Sequence, residues 1–367
     1  MREEGAIRAS TPRQARHDKH ARAATPGRTR QNRHARTGTP GGRAGIARHP
    51  RRACRARQAP RRGRAGRSTA GQPNPRQGSL PTMPAPDPLD LPLDAHLHTD
   101  LSPDADVPID LYAAAARERD VAELAITDHL DFDPRTPAFA FADYGRRRRA
   151  IAEAAERWGG RPNLRFGVEI SYERRYEKDI RAHLAGHAYD FVIGSVHVGP
   201  DSPLRDRTGA ARWCAGKTPR EASQPYWEEV EAAARSGIFD TLGHLDFIKR
   251  FLVPHLGPFE YEPHADLYER VLTALVESGT ALEVNSSGLR QEASETYPPP
   301  VAVERFRALG GERVTAGSDA HRIGHFGFGL EEAYGILERS GFAALAFRRG
   351  DERVAIDLRA ATVVGRG

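Results

Sequence analysis

The chain has 367 residues, enough for one large α/β domain, and its only cysteines, Cys54 and Cys214, exclude a disulfide framework and a cysteine-rich metal site. Its net charge of +6 joins two unlike parts: residues 1–82 hold 21 Lys and Arg against 3 acidic residues, and residues 83–367 hold 34 against 46. The acidic part lacks the basic footprint of a duplex binder, and no apolar run approaches the roughly 18 residues of a membrane span.

Residues 1–82 are rich in Arg, Gly, Pro, Ala, Thr and Gln without a periodic apolar run. Such a composition cannot bury enough surface to offset its ordering entropy, which predicts disorder. One reading is an arginine-rich arm for nucleic acid. The preferred reading is a mis-assigned start, because the methionines are Met1 and Met83, and Met83 lies shortly before the first apolar run. The stretch also lacks the apolar core of a secretory signal, so the body, residues 83–367, is read as cytoplasmic.

The body alternates apolar runs with helical patterns. A strand at residues 91–98 ends in His96-Leu97-His98 and is followed by Asp104 and by a helix at 109–119. A strand at 121–127 runs into Asp128-His129. A helix at 146–158 leads to a strand at 164–170 that carries Glu169. A helix at about 179–188 precedes a strand at 191–198 containing His197. Residues 199–224, rich in Gly, Pro, Asp and Arg, are expected as a long insertion before a helix at 226–236. A strand at 241–245 carries His244, a helix spans about 266–277, and a strand at 281–285 leads to Arg290. A helix at 301–309 precedes a last strand at 313–316, which runs into Ser318-Asp319-Ala320-His321.

Seven strands alternating with helices predict a parallel sheet, with polar residues at the carboxyl ends. A closed barrel would gather these residues at one face; a doubly wound open sheet fits the alternation too but would spread them along an edge. Two histidines one residue apart on a strand share a face, because side chains alternate with period two. The gathered set is His96, His98, Asp104, His129, Glu169, His197, His244, Asp319 and His321. Imidazole and carboxylate suit zinc, manganese or iron, and nine donors exceed one coordination sphere. His183, His187, His255 and His264 read as ordinary packing or surface residues. His325 is not assigned to the site.

At these residues the chain resembles the polymerase and histidinol phosphatase (PHP) superfamily. The superfamily's pattern is a His-x-His strand with a downstream Asp, then Thr-Asp-His, Gly-x-Glu, Ser-x-His, Gly-His and Ser-Asp-Ala-His. All of these stand in order between residues 91 and 325. Three stretches resemble the histidinol-phosphatase family: residues 189–197, residues 239–249, and residues 283–290 followed by Tyr297-Pro298. Where that family commonly has Tyr-Pro-Ser, this chain has Tyr297-Pro298-Pro299.

The resemblance implies a distorted seven-stranded (β/α) TIM-like barrel with a metal site at the C-terminal strand ends. It further implies two or three divalent ions (zinc, manganese or iron). The first would be held by His96, His98, Glu169 and Asp319. A second would be bridged by Glu169 and held by His197 and His244, and a third by Asp104, His129 and His321. Glu169, Asp319 and His321 would stand at the reaction itself. The expected reaction is hydrolysis of a small phosphomonoester, L-histidinol phosphate, by water whose pKa the metal lowers. Lys249 and Arg290, near strand ends, are the expected phosphate contacts.

Another phosphomonoester, such as phosphotyrosine or a sugar phosphate, or a nucleic acid cut as by an exonuclease, are the alternatives. A metal-dependent amidohydrolase would place a lysine at its fourth strand, where this chain has His197. No membrane and no nucleic-acid partner is expected. Residues 83–367 alone are expected to keep the fold and turnover of the whole chain; comparing the truncated and full proteins checks this, and a large loss on truncation contradicts it.

Overall fold

The computed structural model describes residues 88–141 and 143–359, so the expectations for residues 1–82 lie outside the described residues. The strands are β1 (Asp94–Leu97), β2 (Glu123–Ile126), a two-residue β3 (His129–Leu130), β4 (Asn163–Ser171), β5 (Phe191–Ser195), β6 (Thr241–Leu242), β7 (Ala281–Asn285) and β8 (Val314–Gly317). They form one parallel sheet in the order β1-β2-β4-β5-β6-β7-β8, with β3 beside β4. The sheet returns on itself through a parallel bridge between Leu97 and Ala320. There the Asp319 N–H donates to the His96 carbonyl at 2.9 Å and the His98 N–H to the Ala320 carbonyl at 3.0 Å. The seven strands of this path thus nearly close into a barrel, and the open-sheet alternative is set aside.

The helices run in chain order: α1 (Ile109–Glu118), α2 (Pro137–Phe141), α3 (Tyr144–Trp158), α4 (Glu177–Gly186), α5 (Arg207–Cys214), α6 (Pro219–Ser236), α7 (Lys249–Leu256), α8 (Ala265–Ser278), α9 (Pro300–Ala308) and α10 (Leu330–Arg339). Most bury one stripe at i, i+3 and i+4 spacing, such as Tyr112 and Ala116, Ile151 and Ala154, Leu272 and Leu275, or Val303 and Phe306. None among the described residues is long and apolar enough to cross a membrane.

Beyond the short β3 and the helices α2, α7 and α10, which were not expected, two parts differ from the expectation. The insertion is not all loop: Asp206 caps α5 by accepting from the Gly209 N–H at 2.8 Å, and α6 starts at Pro219 rather than at Tyr226. Thr218 and Glu221 form a reciprocal capping box, with Pro219 at the first helical position. Pro225 sits inside the helix, where it resembles a breaker in sequence. The other addition is an antiparallel hairpin, β9 (Ala344–Arg349) and β10 (Glu352–Asp357), turning through Gly350 and Asp351. It packs Phe347 on Phe191, with ring centroids 4.5 Å apart, and anchors Arg348 on Asp240 and Arg349 on Glu123.

Barrel interiors are usually filled by branched apolar side chains. Here the interior is polar: Asp94, Thr241, Glu283 and Thr315 are fully buried. Thr241 and Thr315 pair through their hydroxyls at 3.1 Å, and Asp94 accepts from the Ser318 N–H and hydroxyl at 2.9 and 2.6 Å. This interior leaves no room for a Cβ at two glycines. A Cβ at Gly317 would stand 2.3 Å from the His96 Cβ and 2.9 Å from Glu283 Oε1, and one at Gly243 would stand 2.4 Å from Ser195 Oγ. Gly317→Ala is therefore expected to destabilise the protein by about 1–3 kcal/mol through overpacking. Urea unfolding checks this; an unchanged midpoint contradicts the tight approach.

Candidate metal centre

All nine sequence-predicted donors meet at the carboxyl end of the barrel. His96 lies on β1 and His98 just beyond it; His129 begins β3, and Glu169 lies on β4. His197 and His244 each follow their strands, β5 and β6, by two residues. Asp319 and His321 follow β8, and Asp104 comes from the loop after β1. Asp319 adopts φ 52°, a left-handed conformation that costs a non-glycine residue of the order of 1 kcal/mol and recurs at functional turns.

Donor atoms bound to one ion at about 2.0–2.2 Å in a tetrahedral arrangement stand roughly 3.3–3.6 Å apart. The side chains here approach that spacing. The Nε2 atoms of His96 and His98 are 3.1 Å apart, and each lies 3.5 Å from a Glu169 oxygen. Asp319 Oδ1 is 3.4 Å from His98 Nε2 and 3.8 Å from His96 Nε2. The Glu169 Oε1 atom that faces His96 is also 3.0 Å from His244 Nε2 and 3.3 Å from His197 Nε2. At the rim, Asp104 Oδ2 is 3.3 Å from His129 Nε2 and 3.4 Å from His321 Nε2, with the two nitrogens 3.5 Å apart.

The arrangement fits cations better than hydrogen bonds. Two imidazole nitrogens at 3.1 Å cannot both donate, so at least one turns a lone pair into the cluster. Glu169 Oε2 is buried with no aligned hydrogen bond, although His129 Nδ1 stands 2.7 Å away. Burial opposes ionisation of Glu169, but the imidazoles of His129, His197 and His96 outweigh it and hold the carboxyl well below its usual range. Burial and the neighbouring His321 and His129 push the His98 imidazole well below its ordinary value, which favours the neutral ligating form.

Further side chains orient these donors, and sequence reading passed over them. Fully buried Glu283 places Oε1 2.7 Å from His96 Nδ1, accepts the His244 N–H at Oε2 at 2.8 Å, and accepts from Asn285 Nδ2 at 3.1 Å. With the proton on Nδ1, His96 presents Nε2 as a lone pair. Ser171 Oγ is 3.0 Å from His197 Nδ1, and the Asp319 carbonyl is 3.1 Å from His321 Nδ1. Glu283 sits two residues before Asn285 in β7, on the same face, a period-two signal like that of His96 and His98.

The structure engages both expected phosphate contacts within the protein. Lys249 is fully buried, with Nζ 2.7 Å from Asp246 Oδ2 and 2.6 Å from Glu295 Oε1, so its charge is spent inside the protein. Arg290 donates to the carbonyls of Ser318 and Asp319 at 2.9 and 2.7 Å, bracing the turn that carries Asp319. The cation facing the cluster is instead Arg250, one residue beyond Lys249. It lines a cavity of about 330 Å³ with Asp104, His129, His197, His244, Asp319 and His321. The other histidines among the described residues stay outside: His183 and His187 stack on each other with centroids 4.1 Å apart, and His264 stacks on Phe259 at 3.9 Å. His255 and His325 are not among the residues lining this cavity.

A nearly closed parallel barrel with such a cluster at its mouth defines a class, the barrel metallohydrolases. The family model of the PHP domain matches residues 94–287. A Deinococcus radiodurans protein named "Probable histidinol-phosphatase" is 33% identical over 267 residues, 70% of this chain and 96% of the relative. A Thermotoga maritima protein of the same name is 27% identical over 270 residues, 73% of this chain and all of the relative. The fold is similar to that of the histidinol phosphate phosphatase of Lactococcus lactis subsp. lactis, crystallised with zinc, L-histidinol and phosphate. The TM-score is 0.64 at 23% identity, over 72% of this chain and 98% of that one. The chain belongs to the PHP family, alongside its histidinol-phosphatases.

Glu283→Gln is expected to keep the fold and to weaken metal retention roughly 10- to 100-fold, because the imidazole loses its orienting carboxylate. Metal content after graded chelator dialysis measures this, and parental retention would show that Glu283 does not orient the site.

Proposed function

We propose that the chain is a metal-dependent phosphomonoesterase that hydrolyses L-histidinol phosphate to L-histidinol and phosphate, a late step of histidine synthesis. The observation that carries this reading is the convergence of six imidazoles and three carboxylates in one cluster, of which His129, His197, His244, His321, Asp104 and Asp319 line a single cavity. The substrate is taken from the printed names of the relatives.

Three donor sets are assigned. His96, His98, Glu169 and Asp319 form the first, Glu169 with His197 and His244 the second, and Asp104 with His129 and His321 the third. Divalent ions at such sets acidify water and offset the charge of a phosphoryl group. Glu169 works in two directions, with Oε1 toward His96, His197 and His244 and Oε2 toward His98 and His129. Glu283 and Ser171 keep the ring orientations, and Arg290 holds the turn under Asp319.

Arg250, exposed at its tip and stacked 5.5 Å from the Phe247 ring centroid, is the guanidinium placed to donate to phosphoryl oxygens. In the reaction the water oxygen bonds to phosphorus as the ester P–O bond breaks, and the departing alkoxide takes a proton. Lys249, paired with Asp246 and Glu295, is not given a phosphate contact.

The test is phosphate release from L-histidinol phosphate, phosphotyrosine, a sugar phosphate and single-stranded DNA. L-Histidinol phosphate is expected to give the highest kcat/KM, and a higher value for any other substrate overturns the assignment. Glu169→Gln is expected to lose metal and turnover together. Arg250→Ala should keep its metal and lose roughly ten- to a hundredfold in kcat/KM, the value of a charged hydrogen bond of about 1.5–3 kcal/mol.

A further inference from the structure

Beside the reaction cavity lies a second one of about 590 Å³, and Arg250 lines both. The barrel end supplies its cations from three connections between strand and helix. Arg205 and Arg207 come from the insertion after β5, Arg250 from α7 after β6, and Arg290 from the turn after β7. The carboxylates lining it are Asp206 and Glu292. Asp206 caps α5, and together with Glu292 it sets two negative charges against four guanidinium groups.

Most arginines elsewhere on the barrel have a carboxylate: Arg135 with Asp133 and Asp201, Arg157 with Asp110, Arg348 with Asp240. Arg205, Arg207 and Arg250 have no ion pair among the described residues, although the body as a whole is acidic. Like charges gathered around one concavity repel and raise the local concentration of an anion that bridges them. Guanidinium forks match the oxygens of a phosphate in bidentate fashion. The cavity is also too large for a bare ion to fill, which leaves room for an organic group on the phosphate.

We propose that this outer cavity is a second anion site, taking a phosphate group beside the reaction centre. Its source is either inorganic phosphate released by the reaction or the phosphoryl end of a second phosphomonoester. The proposal rests on the proposed function only in naming phosphate as the anion at hand. Because Arg250 lines both cavities, an anion in the outer one turns its guanidinium away from the inner one whether or not substrate is already bound there. Accumulated phosphate then slows turnover from outside the reaction cavity, and saturating substrate does not relieve that part of the inhibition.

The experiment is equilibrium dialysis of the full metal-loaded chain against radiolabelled inorganic phosphate. It is run on the parent and on the Arg205→Ser/Arg207→Ser double variant, both positions being exposed and outside the catalytic set. The parent is expected to bind two phosphates, and the variant should lose the second by roughly tenfold or more in affinity. The variant should keep parental turnover at low phosphate and lose the inhibition that substrate cannot relieve. Displacement of the outer phosphate by methyl phosphonate assigns the site to phosphomonoesters, and resistance to displacement assigns it to free phosphate. One phosphate per chain in the parent, or two with unchanged affinity in the variant, overturns the proposal. Dialysis needs no turnover, so inactivity toward L-histidinol phosphate would leave this result readable.

Discussion

The Glu283 carboxylate is the interaction on which the rest of the barrel depends. A carboxylate stripped of water costs several kcal/mol unless donors replace the solvent. Glu283 meets that cost with the His96 ring, the His244 amide and the Asn285 side chain, which belong to β1, the turn after β6 and β7. One acid thus ties together strands that bring donors to the mouth. With the His96 Cβ it also crowds Gly317, where an added Cβ would stand 2.9 Å from its Oε1. The polar interior is therefore a frame for the site rather than an isolated oddity of packing.

Much of this was legible in the sequence because it depends on periodicity. His96 and His98 share a face by the period of a strand, and the alternation of short apolar runs with helical stripes carries the strand count. The barrel then has only to bring strand ends together, and every predicted donor arrives. Glu283 and Asn285 show the same period two, yet their strand seemed complete as a core strand, and nothing local says that a buried acid faces a histidine from another strand. Capping chemistry was passed over: Thr218-Pro219-Arg220-Glu221 carries the box that starts α6, yet these residues read as part of the insertion because Pro225 reads as a stop when taken alone.

Charged loop residues were the least legible, because neighbours distant in sequence decide what a charge does. Lys249 and Arg250 are adjacent, and proximity to a strand end argues for both equally. The difference is that Asp246 lies one helical turn before Lys249 and Glu295 reaches it from another loop, so the ammonium is neutralised inside and rests 5.7 Å from the Tyr268 ring. Arg250 points the other way, toward the cavities. Arg290 meets a third fate, bonded to two carbonyls of a turn held in a left-handed conformation. Such braces keep a strained turn in place at low cost, since a planar guanidinium loses little freedom per bond formed.

The seam between β8 and β1 bears on how the protein is made. Asp94 and Ser318, bonded across it, are 224 residues apart in sequence, and the same seam carries His96 and His98 on one side and Asp319 and His321 on the other. During synthesis the first histidines emerge early and wait for nearly the whole domain to leave the ribosome before their partners exist. Contacts of such long range form late, because the loop entropy of bringing distant segments together comes before any reward. A nascent chain therefore holds only fragments of the donor set. The complete cluster becomes available to cations as the barrel closes, so capture of the full complement of metal belongs to the end of folding rather than to its beginning.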